Sequence, residues 1–377
     1  MGGKGGADRG KRSMWRGVPR WARVCTILGI VMVVLSGSVL IGSRALVARY
    51  EGSVGKADLF GDQAAGANEK KSDIKGPLNI LLVGVDPRTS TARPLADSIM
   101  VLHVPATMDR GYLFSLPRDL RVDIPAFPKA DYAGANDRLN AAMSHGSNVP
   151  GQNPSTAQGF ELLAKTVQDV TGIKRFDAGA IINFSGFKKI VDAMGGVDMY
   201  IEREVRSEHL QPDGTPRQLK PGGGGYLGPQ AVYKKGNAHL EGWQALDYVR
   251  QRYPKNGVPD ADYGRQRHQQ QFVKAMVSQA FSADVVANPV KLDRVLRAAG
   301  GALTVDTNGV PLDELLFALR GLPADAVRGV QVPSYPQTID GVSYVVLDDG
   351  GAGLFGALRD TRVPEWAGAN PRWVNRL

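Results

Sequence analysis

The sequence predicts an α/β protein, an α-β-α sandwich with a central mixed sheet, preceded by one transmembrane helix. Short apolar runs that end at Asp, Pro or Gly alternate with segments whose apolar residues recur at helical spacing, which is typical of α/β folds. Ahead of them, residues 24–41 form an uncharged apolar stretch. With 377 residues, 43% of them hydrophobic and 22% charged, the chain has a globular composition and the length for one large domain or two smaller ones.

A basic tail and an apolar segment open the chain. Residues 1–23 hold seven Lys or Arg against one Asp, so this tail supplies +6 of the formal net charge of +9. Basic residues flank transmembrane helices on their cytoplasmic side. We therefore expect a cytoplasmic tail at 1–23, a single transmembrane helix at 24–42, and an extracellular remainder at the cell membrane. A cleaved signal peptide is the alternative, but no clean small-x-small cleavage site follows the apolar run, which is also long for a signal peptide.

Composition argues against several classes of protein. The chain after the tail carries only +3 of the charge, and the tail has no helix-turn-helix pattern, which argues against nucleic acid as a partner. The one cysteine, Cys25, lies in the apolar segment, so neither a thiol nucleophile nor a structural zinc site is expected. The sequence contains neither a G-x-x-x-x-G-K-[ST] phosphate loop nor a G-x-S-x-G nucleophile elbow.

The main domain is predicted to follow a linker. Residues 43–76 are rich in Ala, Gly, Ser, Asp and Lys without sustained periodicity, as expected of an extracellular stalk. From Pro77 onward, apolar runs bounded by turn residues predict buried strands, and amphipathic runs predict helices. The domain at 77–282 is predicted to contain strands at 79–85, 99–104, 111–116, 178–182 and 197–201, helices at 160–170, 184–194, 240–249 and 266–281, and a mobile loop at 211–229.

The same alternation continues toward the C-terminus. Helices are predicted at 290–298, 312–319 and 354–358, with strands at 303–305 and 342–347. No low-complexity linker precedes this part of the sequence. Residues 283–377 are therefore interpreted as an α/β extension that packs on the same domain.

Charged residues concentrate in two places along the chain. Four arginines and two aspartates lie between positions 250 and 267, and an upstream group consists of Asp86, Arg88, Arg93, Asp97, Arg118 and Asp119. Guanidinium groups bind phosphate oxygens bidentately, and carboxylates hold divalent cations. Asp86 and Arg118 each follow a predicted strand, and ligands of open α/β sheets lie beyond strand ends. The pattern favours a site for a strongly anionic group such as a pyrophosphate.

Seven sequence blocks carry a family resemblance. They are Asn79–Asp86 (NILLVGVD), Ala96–Met100 (ADSIM), Ser115–Asp119 (SLPRD), Arg138–Ala142 (RLNAA), Ile182–Phe187 (INFSGF), Asp192–Asp198 (DAMGGVD) and Leu240–Gln271. Together they resemble the motifs of the LytR-CpsA-Psr family of membrane-anchored cell-wall enzymes. The blocks occur in the family's order across residues 77–282, so the resemblance covers the predicted main domain. It implies that this domain is catalytic.

The resemblance implies a phosphotransferase. Its donor would be a glycan linked to a polyprenyl pyrophosphate in the membrane, and its acceptor the C6 hydroxyl of N-acetylmuramic acid in peptidoglycan. The product would be a phosphodiester-linked wall polymer such as teichoic acid, capsule or arabinogalactan, and polyprenyl phosphate would leave.

The resemblance also implies roles for individual residues. Catalysis is expected from Asp97, Arg118, Arg250, Arg252 and Arg265, and pyrophosphate binding from Arg118, Arg250, Arg252, Arg265, Gln269 and Arg93. Asp86 and Asp97 are expected to hold Mg²⁺ (or Mn²⁺), with turn capping as the alternative for both. On an extended segment, Arg250 and Arg252 would share one face. The general base stays open among Asp97, Asp119 and Asp262.

Two departures from the family pattern concern arginines. Arg267 comes one position early, with His268 in the usual place of the arginine, and Arg93 precedes Asp97 by four residues instead of lying next to the ADS block. Two other functions stay open. The same charged cluster fits a hydrolase that cleaves polyprenyl pyrophosphate with water, and it also fits a non-enzymatic protein that binds or regulates wall polymers.

Overall fold

The computed structural model describes residues 55–61, 76–86, 89, 91–251, 261–280, 282–286, 288–300, 302–319 and 322–376. The chain divides into units at Met1–Glu51 and Gly52–Leu377, and all described residues belong to the second. Within these ranges, no helix is long and apolar enough to cross a membrane. The predicted tail at 1–23, the predicted transmembrane helix at 24–42 and most of the predicted stalk at 43–76 lie outside the described residues.

A mixed sheet of eight strands, counted over the described ranges, forms the centre of the fold. Numbered along the whole chain, its strands are β1 (Gly55–Lys56), β2 (Leu78–Val85), β3 (Ala96–Val104), β4 (Gly111–Leu116), β7 (Ala178–Asn183), β14 (Leu303–Asp306), β15 (Val327–Gln331) and β18 (Val374–Arg376). Their spatial order is β1-β14-β7-β2-β3-β4-β15-β18. β2 is parallel to β7, β4 is parallel to β15, and β3 is antiparallel to both β2 and β4. The predicted α/β class with a mixed sheet is therefore confirmed.

Helices cover the sheet from both faces. They are α1 (Leu139–Gly146), α2 (Thr156–Thr171), α3 (Phe184–Met194), α4 (Gly242–Arg250), α5 (Ala261–Ala280), α6 (Ala283–Val286), α7 (Pro289–Gly300), α8 (Leu312–Leu319), α9 (Asp349–Arg359) and α10 (Val363–Ala369). On one face, Val83 and Phe114 share a buried cluster with Phe160 of α2. On the other, Ile80 shares a cluster with Leu315 of α8. Alternate residues of β2 thus enter different cores, which explains its continuous apolar run.

Local sequence signals set the bounds of the helix that borders the site. Asn183 ends β7 and caps α3, because its side chain accepts a hydrogen bond of 2.7 Å from the amide of Gly186. The helix ends at Gly195, whose φ of 81° is in the left-handed region that favours glycine. These signals explain why α3 has the bounds that the sequence predicts, Phe184–Met194.

Short antiparallel ribbons lie outside the main sheet. They pair β5 (Arg121–Ile124) with β6 (Ala135–Arg138), β8 (Val197–Ile201) with β13 (Gly236–Leu240), β9 (Val205–Arg206) with β12 (Val232–Tyr233), β10 (Gln218–Leu219) with β11 (Tyr226–Leu227), and β16 (Ser334–Ile339) with β17 (Val342–Leu347). The stretch 211–229, predicted as a loop, therefore contains the β10–β11 hairpin. Strands of two residues have no hydrophobic period, so their pairing left no pattern in the sequence.

Candidate active site

The carboxyl ends of three strands define one edge of the sheet. β2 and β7 run in parallel with Val85 opposite Asn183, and Asp86 is the next residue after β2. β4 has the same direction as β2 because β3 is antiparallel to both, and Arg118 lies two residues beyond its end. Charged side chains thus follow β2 and β4 at the edge where ligands of open α/β sheets bind.

A register shift exposes Asp97 at this edge. On β3, Ser98 lies opposite Gly84 and Ala96 lies opposite Val85, so Asp97 has no counterpart on β2. Such bulges re-aim a side chain and are common beside active sites. Gly84 also matters here, because a Cβ at this position would lie 3.2 Å from the Cβ of Ser98 and 3.6 Å from the ring of Phe184.

Arg118 joins two of the predicted aspartates. Its Nη1 lies 2.6 Å from Oδ1 of Asp97, and its Nε lies 3.5 Å from Oδ2 of Asp119. Asp119 is held in turn by Arg138, at 3.8 Å, and by the amide of Val345 in β17, which donates to its carbonyl at 2.9 Å. The β16–β17 ribbon therefore helps to fix the turn that carries Arg118.

Arg250 is the last residue of α4 and reaches the same edge. Its Nη2 lies 3.1 Å from Oδ2 of Asp86, and its guanidinium carbon lies 5.1 Å from the ring centroid of Phe184. The expectation that Arg250 lies on an extended segment with Arg252 is wrong for Arg250, because helix α4 continues through it. Arg252 itself lies outside the described residues.

Helix α5 contributes Arg265 and Gln269. Arg265 is buried, with 6% of its surface exposed, and Gln269 accepts a hydrogen bond of 3.0 Å from the hydroxyl of Ser98. The next residue, Gln270, is also buried and donates to the carbonyls of Leu113 and Val330. This amide anchors α5 on β4 and β15 and so positions the two residues that the family motif predicted.

These elements border an open cavity of about 240 Å³ that is lined by Asp97, Phe184, Glu208, His209, Arg250, Arg265 and Gln269. Two of the lining side chains are guanidinium groups and two are carboxylates. Asp86 and Arg118 adjoin it through their ion pairs with Arg250 and Asp97. A cavity with two fixed positive charges beside acidic groups can bind an anionic phosphate and take up a proton.

Glu208 and His209 were not predicted as site residues. Their backbone amides donate to Gln251 and Ser207, at 3.0 and 3.2 Å. These two side chains belong to a buried network in which Asp247 of α4 accepts hydrogen bonds from Ser207, Tyr233 and Gln251 at 3.0, 2.7 and 2.7 Å. Burial raises the pKa of the Asp247 carboxyl, although the hydrogen bonds from Tyr233 and Ser207 oppose that shift. An aspartate among the apolar residues of the predicted helix 240–249 was the signal that could have indicated this network.

Other predicted residues lie elsewhere. Arg93 donates to the side-chain oxygen of Asn148 at 2.6 Å and is not among the cavity residues. Arg267 contacts Glu202 at 3.4 Å, and His268 is buried and stacks on Tyr248 with ring centroids 4.3 Å apart. His268 is thus a packing residue. The side chain of Asp262 lies outside the described residues.

The expected metal ligands are Asp86 and Asp97. The residues before them, Val85 on β2 and Ala96 on β3, lie opposite each other, and each aspartate is paired with an arginine. Among the described residues, no three His, Cys, Asp or Glu side chains come together as a metal site. Two carboxylates still fit Mg²⁺, which in phosphoryl-transfer sites takes one or two protein carboxylates and completes its shell with phosphate oxygens and water.

Several known proteins are similar to this chain in sequence. Biofilm regulatory protein A of Streptococcus mutans is 27% identical over 327 residues, covering 84% of this chain and 71% of that protein. The polyisoprenyl-teichoic acid–peptidoglycan teichoic acid transferase TagV of Bacillus subtilis is 28% identical over 243 residues, covering 64% of this chain and 52% of TagV. This chain therefore spans about half the length of TagV.

Solved structures show the same fold. The crystal structure of B. subtilis TagT has a TM-score of 0.55 at 19% identity and covers 84% of this chain and 100% of that chain. At this identity the likeness carries the fold alone. A family model described as the LytR_cpsA_psr family matches residues 52–353, which confirms the resemblance predicted from the sequence blocks. Because that match covers most of its length, the chain belongs to the LytR_cpsA_psr family.

Proposed function

We propose that the protein is a phosphotransferase that moves a phosphoglycan from a polyprenyl-pyrophosphate lipid to the N-acetylmuramic acid C6 hydroxyl of peptidoglycan. The observation that carries this proposal is the cavity in which Arg250 and Arg265 converge with Asp97 and Gln269. The names of the relatives TagV and TagU, both teichoic acid transferases acting on peptidoglycan, support the reaction class. Teichoic acid, capsule and arabinogalactan are all candidate polymers.

The arginines are proposed to bind the pyrophosphate. Phosphoryl transfer depends mainly on positioning and on neutralising the charge of the phosphate oxygens. Arg250 and Arg265 line the cavity directly, and Arg118 adjoins it through Asp97. The cation–π contact of Arg250 with Phe184 restrains its guanidinium group beside the cavity, where it is available to bind phosphate. Gln269 is placed to hydrogen-bond a phosphate or sugar oxygen, and Arg252 is retained as a candidate from its motif.

The proposed chemical step is one substitution at phosphorus. The acceptor hydroxyl oxygen bonds to the glycan-bearing phosphorus, and the bond from that phosphorus to the bridging oxygen breaks, so polyprenyl phosphate leaves. The hydroxyl proton passes to a carboxylate, for which Asp97, Asp119 and Asp262 are the candidates. Of these, Asp97 lines the cavity, and Asp119 contacts the same arginine, Arg118, as Asp97 does.

Asp86 and Asp97 are proposed to hold Mg²⁺ or Mn²⁺ together with the donor. When bound, such an ion would supply positive charge to the pyrophosphate oxygens. Each carboxylate is paired with an arginine and lies beside the cavity or lines it, so both are close to the position proposed for the phosphates.

The predicted topology suits a lipid-linked donor. A cytoplasmic tail at 1–23 and a transmembrane helix at 24–42 would hold the catalytic domain at the outer face of the membrane. Localisation at the cell membrane, with an extracellular catalytic domain, is therefore part of the proposal.

The experiment incubates the purified full chain with Mg²⁺, a short polyprenyl-pyrophosphate glycan and a peptidoglycan oligomer, and detects products by mass spectrometry. A phosphodiester adduct between glycan and peptidoglycan would establish the transferase. Free glycan phosphate without an adduct would favour the hydrolase. If neither product forms, the non-enzymatic alternative is favoured, in keeping with the regulatory names of relatives such as Biofilm regulatory protein A.

A further inference from the structure

The hairpin of β10 and β11 is fixed to the wall of the cavity. Arg217 donates hydrogen bonds to the carbonyls of Glu208, Tyr226 and Gly228 at 2.6, 3.1 and 3.0 Å. The ring of Tyr226 meets the ring of His209 edge to face, with centroids 5.1 Å apart. Since Glu208 and His209 line the cavity, the hairpin forms a rim beside its opening.

This rim exposes large apolar side chains. Leu219 is 66% exposed and Leu227 is 45% exposed, and Val232 on the neighbouring β12 is 41% exposed. In the antiparallel register, Leu219 lies opposite Tyr226 and Leu227 lies opposite Gln218, so the two leucines point to opposite faces of the hairpin. A leucine side chain cannot form hydrogen bonds with a sugar. Exposed leucines on both faces of the hairpin are instead stabilised by contact with hydrocarbon.

Cationic side chains predominate on the rim, with Asp213 just before the hairpin and Glu208 on the adjoining cavity wall as the acidic neighbours. Residues 214–240 contain Arg217, Lys220, Lys234 and Lys235 and no Asp or Glu. Lys220, Lys234 and Lys235 are exposed. Exposed leucines with flanking lysines match a membrane interface, where apolar groups enter the boundary between headgroups and acyl chains and lysines pair with anionic lipids.

We propose that the β10–β11 hairpin, with Val232 and the flanking lysines, is a lipid-contacting rim that docks on an anionic bilayer. The contact would place the adjoining cavity at the depth of the lipid headgroups. There it could receive the pyrophosphate of a lipid whose chain stays in the membrane. Delivery of the donor rests on the proposed function, whereas the lipid contact itself does not.

The lipid contact is tested with an environment-sensitive fluorophore. Cys25 is the sole cysteine, so a Cys25→Ser background accepts one NBD label at L219C. The matched control is V290C on α7, where the valine is 64% exposed but lies outside the hairpin. The labelled full chains are mixed with vesicles of phosphatidylglycerol and phosphatidylcholine that carry nitroxide-labelled acyl chains.

A blue-shifted emission quenched by the nitroxide at position 219, with no such change at 290, is the expected result. Equal responses at both positions, or no response at 219, would overturn the proposed rim. Quenching that persists in vesicles of phosphatidylcholine alone would overturn the part assigned to the lysines.

Delivery of the donor is tested with the double substitution Leu219→Asp and Leu227→Asp. The measured quantity is turnover on a long-chain donor in vesicles divided by turnover on a short-chain donor in solution. This ratio is expected to fall about tenfold or more, because two carboxylates oppose insertion of the rim. An unchanged ratio would overturn the delivery role. If the unsubstituted protein turns over neither donor, the proposed function fails while the fluorescence result still decides the lipid contact.

Discussion

At the residue scale, the ion pairs of Arg118 show how carboxylates neutralise an arginine of the site before a ligand binds. Its side chain is 19% exposed and contacts Asp97 and Asp119, so the positive charge is compensated in a largely buried position. An incoming phosphate can exchange for a carboxylate at such a group with little desolvation cost. Arg250 repeats the arrangement with Asp86.

Replacing Arg118 tests this arrangement. Arg118→Ala is expected to lower the turnover number for glycan transfer by about 10²–10³-fold, the usual loss when one preorganised charge-stabilising donor is removed. Folding should change little, because the side chain is partly exposed. The turnover number is measured with saturating donor and acceptor, and the fold is checked by circular dichroism.

Arg110→Ala is the matched control for Arg118→Ala. Arg110 also pairs with an aspartate, its neighbour Asp109, at 2.7 Å, but it lies before β4 at the opposite end of that strand from Arg118. Its removal should leave turnover unchanged. Equal losses in the two variants would show that general surface charge, and not the site, accounts for the effect.

Most of the charged residues of the site could be predicted from the sequence. Asp86, Asp97, Arg118, Arg250 and Arg265 were predicted, and the structure brings them to one cavity or to residues that line it. Their motifs lie at strand ends or on helices, where local sequence fixes the position. Glu208 and His209 are held through the long-range network around Asp247. The aspartate in the predicted helix indicates a buried polar partner, but the local sequence does not say which distant segment supplies it.

At the element scale, α4 and the segment that starts at Ser207 form one unit through Asp247. Asp247→Ala is expected to lower the free energy of unfolding by about 2–4 kcal/mol, because Tyr233, Ser207 and Gln251 would lose a buried hydrogen-bond acceptor. Transfer activity should fall as well, since Arg250 ends α4. Urea denaturation gives the stability change.

Asp213→Ala is the control for this network. Asp213 is exposed and its side chain bonds only locally, to Thr215 at 2.7 Å. Its loss should change stability by less than about 0.5 kcal/mol, as is usual for surface positions. Similar destabilisation by the two substitutions would contradict a special role for Asp247.

Gln270 ties α5 to the sheet in a comparable way. Its amide donates to two carbonyls and to the hydroxyl of Ser115, each at 3.0 Å. Gln270→Ala should cost about 1–3 kcal/mol of stability by leaving buried acceptors unpaired. Ser278→Ala, at an exposed position of the same helix, should cost nothing measurable. A neutral Gln270→Ala in urea denaturation would mean that packing alone holds α5.

Secondary-structure elements were predicted best where the spacing of apolar residues and the length of the segment indicated the same type of element. The strands 111–116 and 197–201 and the helices 184–194 and 312–319 have the predicted bounds. β15, with the sequence VRGVQ, was missed because a glycine and an arginine interrupt its apolar pattern. It becomes a strand by pairing with β4, residue Val327 opposite Gly111, which is a tertiary effect.

At the scale of the whole molecule, the sheet order could not be predicted from the sequence. Strands after residue 302 occupy positions on both sides of the β2–β4 group: β14 lies beside β7, and β15 lies beside β4. Local sequence patterns predict individual strands. Pairing between residues more than 200 positions apart depends on tertiary packing, which no local pattern encodes. The sheet therefore couples residues that line the site to the far end of the chain.

The buried centre of that sheet also makes the stability of the whole molecule depend on pH. His103 in β3 is 1% exposed, and its Nδ1 lies 2.8 Å from the side-chain oxygen of Asn79. Burial lowers the pKa of the His103 imidazole to about 4 from an ordinary value of 6.5. Between these two values the unfolded chain binds a proton that the folded chain does not.

Stability should therefore be fully present above pH 6.5 and fall as the pH drops toward 4, by up to about 3 kcal/mol from this group. His103→Gln keeps a polar partner for Asn79 but cannot titrate, so its free energy of unfolding should depend less on pH in this window. Urea denaturation at several pH values measures both slopes. Asp247 and the other titrating groups affect both proteins alike, so the difference isolates His103. If the free energy of unfolding has the same dependence on pH in both proteins between pH 4 and 6.5, the prediction is contradicted. Between pH 7 and 8.5 the two proteins must show the same dependence.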